Sequence, residues 1–130
     1  MLAMPIQIEI HHPDRMVVVV ARGPITLLDM VKAFADFSKE GIFHYRKILD
    51  VTSAVPVMKK EEVQAFIEHV RRQQREKGVG LVAFVAEDGR GEFAKLFVDT
   101  VAGERPAQVF RSLHAARKWL YANSSVKGPG

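Results

Sequence analysis

The chain has 130 residues, of which 48% are apolar, with a formal charge of +4 and no cysteine. This length suits one domain with one core, large enough to need no disulfide or metal staple. Disulfides, thiolate nucleophiles and cysteine-ligated metals are excluded, and the mild positive charge demands no nucleic-acid partner.

The opening "MLAMPIQIEIHH" lacks the basic start and apolar run of a secretory signal. The longest apolar run, "MVVVVA", is too short to span a bilayer, and a cytoplasmic location is expected. "IQIEI" alternates as a half-buried strand does, and "HHPDR" supplies a turn. "MVVVVARG" is β-branched and continuous, the pattern of a more buried strand, so the two form an antiparallel hairpin.

"GPITLLDMVKAFADFSKEG" has both helix ends marked: Thr26 with Asp29 as a capping box, and Gly41 as the stop. Leu27, Met30, Val31, Phe34 and Phe37 fall on one face of it. "YRKILDV" is the next strand, and "KKEEVQAFIEHVRRQQREKG" the next helix, with a narrow stripe of Val63, Phe66, Ile67 and Val70. "VGLVAFVA" reads as a central parallel strand and "EDGRG" as a loop. A third helix is expected over residues 92–102, then a short strand "AQVF". The last helix, "SLHAARKWLYA", is capped by Ser112 and turns Leu113, Ala116, Trp119 and Leu120 inward. The domain is expected to occupy residues 1–122, with residues 123–130 a polar, flexible tail.

The order ββαβαβαβα implies an α/β domain with right-handed crossovers: a mixed, mostly parallel sheet of about five strands, with about four helices. This order, with "ARGPIT" and Asp29, "YRKILDVTSA", and "QVFRSLHAARKWL", resembles the SpoIIAA-like (STAS, or STAS/SEC14-type) bacterial domains related to anti-anti-sigma factors. The resemblance spans nearly the whole chain. It implies the fold and a regulatory, protein-binding role. In anti-anti-sigma factors a serine after the third strand is phosphorylated by a partner kinase. Aligned without gaps, their D-S-S-G falls on Met58, Lys59, Lys60 and Glu61, so that switch is not carried over, and Thr52 and Ser53 lie at the wrong end of the segment.

The segment over residues 50–60 is the first candidate site. A helix N-terminus there offers free N–H groups; Lys59 and Lys60 add charge, and Asp50, Thr52 and Ser53 add hydrogen-bonding groups. The competing reading is that Glu61 and Glu62 offset the lysines in solvent. The second candidate is the wide apolar arc Phe93, Leu96, Phe97, Val98 and Val101, which is a protein interface, the roof of an apolar-ligand pocket, or a surface covered within the fold. "HHPD" sets adjacent histidines on opposite strand faces, so no metal site is expected. The basic strip Arg71, Arg72 and Arg75 has Glu68 within pairing distance along the helix and no interleaved aromatics, so nucleic-acid binding is not expected. Ser112 and His114 lack a nucleophile elbow, and Asp50 lacks a partner acid or base. The sequence therefore reads as a non-enzymatic, cofactor-free module that contacts a protein partner or a second copy of itself. The alternative is a small-ligand binder: an anion or nucleotide at residues 52–60, or a lipid-like molecule under the 92–102 helix.

Overall fold

A computed structural model of the chain describes residues 5–39, 41–42, 44–77, 80–86, 95, 99 and 107–124. Among the described residues five strands form one sheet in the order β1-β2-β3-β4-β5: β1 (Ile6–His11), β2 (Met16–Ile25), β3 (Arg46–Pro56), β4 (Val82–Val85) and β5 (Ala107–Phe110). Only β1 runs antiparallel, paired with β2 from Ile6↔Ala21 to His11↔Met16; the other three pairings are parallel. Three helices are defined among the described residues: α1 (Leu27–Lys39), α2 (Lys60–Lys77) and a C-terminal helix (Leu113–Ser124). The helix expected over 92–102 lies outside the described residues except for Lys95 and Asp99, both of which have helical backbone.

Local signals set the helix ends. Thr26 and Asp29 form the reciprocal box: the Thr26 amide donates to Asp29 Oδ2 at 2.9 Å, and the Asp29 amide donates to Thr26 Oγ1 at 3.2 Å. Gly41 adopts φ 71° past the end of α1, and the Ile42 amide donates back to the Phe37 carbonyl at 3.0 Å. Ser112 accepts from the Ala115 amide at 3.1 Å, which gives its hydroxyl a capping role.

Side-chain alternation divides the core between the two sheet faces. Val17, Val19, Val82 and Phe84 meet Phe34 and Phe37 of α1 and Val63, Phe66, Ile67 and Val70 of α2. On the other face Met16, Ile48, Ala83 and Val85 pack against Ala116 and Leu120 of the C-terminal helix. β4 is buried along its whole length, as a central parallel strand must be.

Two helix stripes differ from their sequence reading. Val31 is 41% exposed and Leu113 is 39% exposed. In α1 the inward stripe is Leu27, Met30, Ala33, Phe34 and Phe37, and Val31, one position round from Met30, turns outward. In the C-terminal helix Ala116 and Leu120, four apart, are fully buried, and Trp119, partly buried, packs against the same cluster as expected.

β3 is longer than expected. It continues past Val51 to Pro56 because β2 also continues, pairing Arg22↔Ser53 through Ile25↔Pro56. The Val57 amide then donates to the Ile25 carbonyl at 2.8 Å. Thr52 and Ser53 are therefore strand residues, and the connection to α2 shrinks to residues 57–59.

Gly80 sits where the chain approaches β3. A Cβ there would lie 2.3 Å from the Tyr45 carbonyl oxygen and 2.5 Å from that of His44. Gly80→Ala is expected to lower the unfolding free energy by roughly 1–3 kcal/mol through forced backbone displacement. Urea denaturation measures this, and an unchanged midpoint would mean that the approach is looser than described.

Candidate functional site

The polar candidates on β3 do not assemble into one site. Between Val20 and Arg22 β2 advances two residues, while β3 advances three, from Asp50 to Ser53: a β-bulge on β3. Asp50 Oδ1 accepts from the Thr52 amide at 3.0 Å, and Thr52 Oγ1 reaches toward the Val85 carbonyl at 3.5 Å. Both groups thus hold the bulge itself. Ser53 is exposed on the strand.

Lys59 and Lys60 are exposed at the start of α2. From Thr52 to Pro56 alone the strand spans about 13 Å, so the hydroxyls and the lysines are separated along it. The α2 N-terminus is also closed internally, because Glu62 Oε1 accepts from the Lys59 amide at 2.8 Å.

What β3 builds is on its other face. Leu49 and Val51, then Ala54 beyond the bulge, line an apolar cavity of about 110 Å³. The extra residue shifts the alternation by one, so that Val51 and Ala54 face the same side. Asp50, between two lining residues, points away from it by the same alternation. β1 and β2 contribute Ile6, Val19, Ala21 and Ile25, β4 contributes Phe84, and the segment before α2 contributes Met58. α1 supplies Met30, Ala33, Phe34 and Phe37, and α2 supplies Phe66.

The cavity has an identifiable cause. Ala21, Ala33 and Ala54 come from three elements and leave the space that larger side chains would fill. Phe34 keeps the helices apart above it. Its ring stands edge-on to Phe66 at 5.8 Å and to the His69 imidazole at 5.3 Å. Sequence reading missed these residues because it looked for polar groups. The available signal was the set of small residues on faces that otherwise read as core.

The remaining candidates resolve separately. His11 Nε2 lies 2.9 Å from Glu9 Oε1, while His12 Nδ1 bonds the Tyr45 hydroxyl at 2.9 Å, so the two imidazoles go to different partners. No cluster able to hold a metal occurs among the described residues. Arg71 pairs with Glu68 at 2.6 Å, the local pairing expected of that strip. Phe93, Leu96, Phe97, Val98 and Val101 lie outside the described residues, as does the "EDGRG" loop. No described helix is long and apolar enough to cross a membrane.

A solved structure decides the fold. An uncharacterized protein of the DUF3478 family from Shewanella loihica PV-4, with a SpoIIAA-like fold, superposes with a TM-score of 0.62, covering 88% of this chain and 91% of that one. The fold is SpoIIAA-like. At 16% identity the likeness concerns the fold alone. No protein-family model and no curated protein matches the chain. The mixed, mostly parallel sheet with its antiparallel edge strand β1 is the SpoIIAA-like architecture that the short motifs implied.

If Asp50 serves the bulge, Asp50→Ala should lower the thermal midpoint, at a cost of roughly 1.5–3 kcal/mol for the lost charge-assisted bond. Lys59→Ala and Lys60→Ala should stay within about 0.5 kcal/mol of the parent, as surface substitutions do. Thermal melts of the three variants test this, and a null result for Asp50→Ala would remove its structural role.

Proposed function

We propose that this chain is a non-enzymatic, cytoplasmic module of SpoIIAA-like fold that takes up a small apolar, lipid-like molecule between its sheet and helices α1 and α2. The apolar cavity of about 110 Å³ carries this reading. Its volume is on the scale of the ~150 Å³ engineered apolar cavity that stays dry and admits benzene. It is smaller than the ~300–1,000 Å³ of sites for drug-sized ligands. The occupant is therefore one acyl or aryl segment, or a longer chain admitted by parting Phe34 from Phe66.

Magnitudes constrain the ligand further. Burying six methylenes contributes about 5 kcal/mol. Association costs at least ~4 kcal/mol in lost freedom. A short hydrocarbon alone thus binds weakly, and useful affinity needs a longer chain or a polar anchor. The lipid-like alternative drawn from the sequence is retained in this form, moved from the 92–102 helix to α1 and α2. The anion or nucleotide alternative draws less support than the cavity, because Thr52 and Ser53 are strand residues set apart from Lys59 and Lys60 along the chain.

A second reading, contact with a protein partner or a second copy of the chain, draws on exposed Leu28 in α1 and on exposed Val55 and Val57 at the end of β3. Sedimentation of the purified chain tests self-association, which a monomer at all concentrations would eliminate.

The cavity reading predicts that 1-octanol displaces a cavity-bound environment-sensitive dye and raises the thermal midpoint. Ala33→Leu fills the space from a helical position that tolerates leucine. It should weaken octanol binding by tenfold or more, with the midpoint of the ligand-free protein unchanged or higher. Unaltered octanol binding in Ala33→Leu would place the ligand elsewhere.

A further inference from the structure

We propose that the outer edge of β1 pairs with β1 of a second copy of this chain, antiparallel and in one register, so that two sheets join across a two-fold axis at Ile8. The contact is separate from the cavity.

β1 is the first strand of the sheet order, with β2 on its inner side and no strand beyond it among the described residues. The Arg22 amide donates to the Pro5 carbonyl at 2.8 Å, one step before the pair Ile6↔Ala21. Bonded and non-bonded pairs alternate along an antiparallel ladder. Gln7, Glu9 and His11 therefore turn their backbone groups toward β2, and Ile6, Ile8 and Ile10 turn theirs outward. The strand IQIEIH carries no lysine, no proline and no break in its register with β2, so it lacks the devices that blunt an edge.

The side chains leave the same edge incomplete. Ile6, Ile8 and Ile10 pack against the main core cluster yet are only partly buried, while Gln7, Glu9 and His11 are exposed on the other face. A strand added to this edge extends the cover over the isoleucines.

The sequence of β1 is its own complement, which selects a second copy as the occupant. With Ile8 opposite Ile8, Ile6 falls opposite Ile10. Each of these pairs exchanges two backbone bonds, so every outward group is used. Gln7 then stands opposite Glu9 of the other copy, in the closely spaced non-bonded position, where its amide donates to the carboxylate. Glu9 Oε1 is engaged by His11 Nε2 at 2.9 Å, and Oε2 faces that amide. Other registers fit worse. Centring on Glu9 opposes two carboxylates, and centring on Gln7 leaves Ile10 with no β1 residue opposite. An offset of one residue puts the isoleucines opposite polar side chains.

Sedimentation equilibrium of the full chain, with amide hydrogen exchange as a second readout, tests the assignment. The parent is expected to dimerise reversibly, and exchange at the Ile8 and Ile10 amides to slow as concentration rises. Gln7→Glu sets like charges opposite each other twice per interface and should weaken the dimer about tenfold, whereas Gln7→Lys should hold or tighten it. Ile8→Pro removes the outward N–H at the axis from both copies, at an edge that tolerates proline, and should abolish the dimer. A parent that stays monomeric at all concentrations overturns the proposal and leaves the edge to an extended segment of another protein. Equal dimerisation of Gln7→Glu and Gln7→Lys also overturns it, as does fast exchange at Ile8 within the dimer; either result moves the contact to a surface such as Leu28, Val55 and Val57. Should Ile8→Pro not fold, the two Gln7 variants, at an exposed position, still decide. Octanol binding reports on the cavity independently of every one of these outcomes.

Discussion

From Val20 to Arg22 on β2 the register advances two residues, and on β3 it advances three. Everything above that step depends on it. In a regular strand Ala54 would face away from Val51, and the helix side of the sheet would lose a lining residue. The bulge keeps both on that side, while Asp50, just before it, points to the opposite face by ordinary strand alternation. The Asp50 carboxylate, bonded to the Thr52 amide, satisfies a donor that the irregular ladder leaves without a strand partner. A polar side chain that resembles a reactive group by its position at the upper part of a strand thereby serves backbone geometry.

The cavity is a departure from close packing, and its edges explain why it persists. Alanine at positions 21, 33 and 54 removes volume from β2, α1 and β3 together. Collapse would require α1 and α2 to approach the sheet, but the edge-on stack of Phe34 with Phe66 and His69 fixes their separation. The lower part of the same face closes normally, with Ile42, Ile67 and Val82 fully buried. The apolar layer is thus tight at one end and open at the other, with Phe37 at the transition.

Much of the fold was legible because its determinants are local. Thr26 with Asp29, Gly41 and Ser112 each fix a helix end through residues a few positions away, and the stripe Val63, Phe66, Ile67 and Val70 is buried in full. The length of β3 was not legible, since pairing of its last residues depends on how far β2 extends. Val31 and Leu113 satisfy helical periodicity yet face solvent, because the width of a buried stripe depends on what lies opposite. The cavity was the least legible feature. It arises from small residues far apart in sequence and from a register shift, neither of which a polar-residue search detects.

The sheet order has a consequence for how the chain reaches this structure. Strand order in space equals strand order in sequence, from β1 to β5. Each strand joins the edge left by the one before it, and none must be inserted between two strands already paired. Nucleation at the β1–β2 hairpin closes a short loop, and each later addition closes only the span of one crossover. A chain emerging from the ribosome N-terminus first can therefore build the sheet in the order of its synthesis. β5, with four residues, remains as a short terminal edge that offers little template for pairing with other chains.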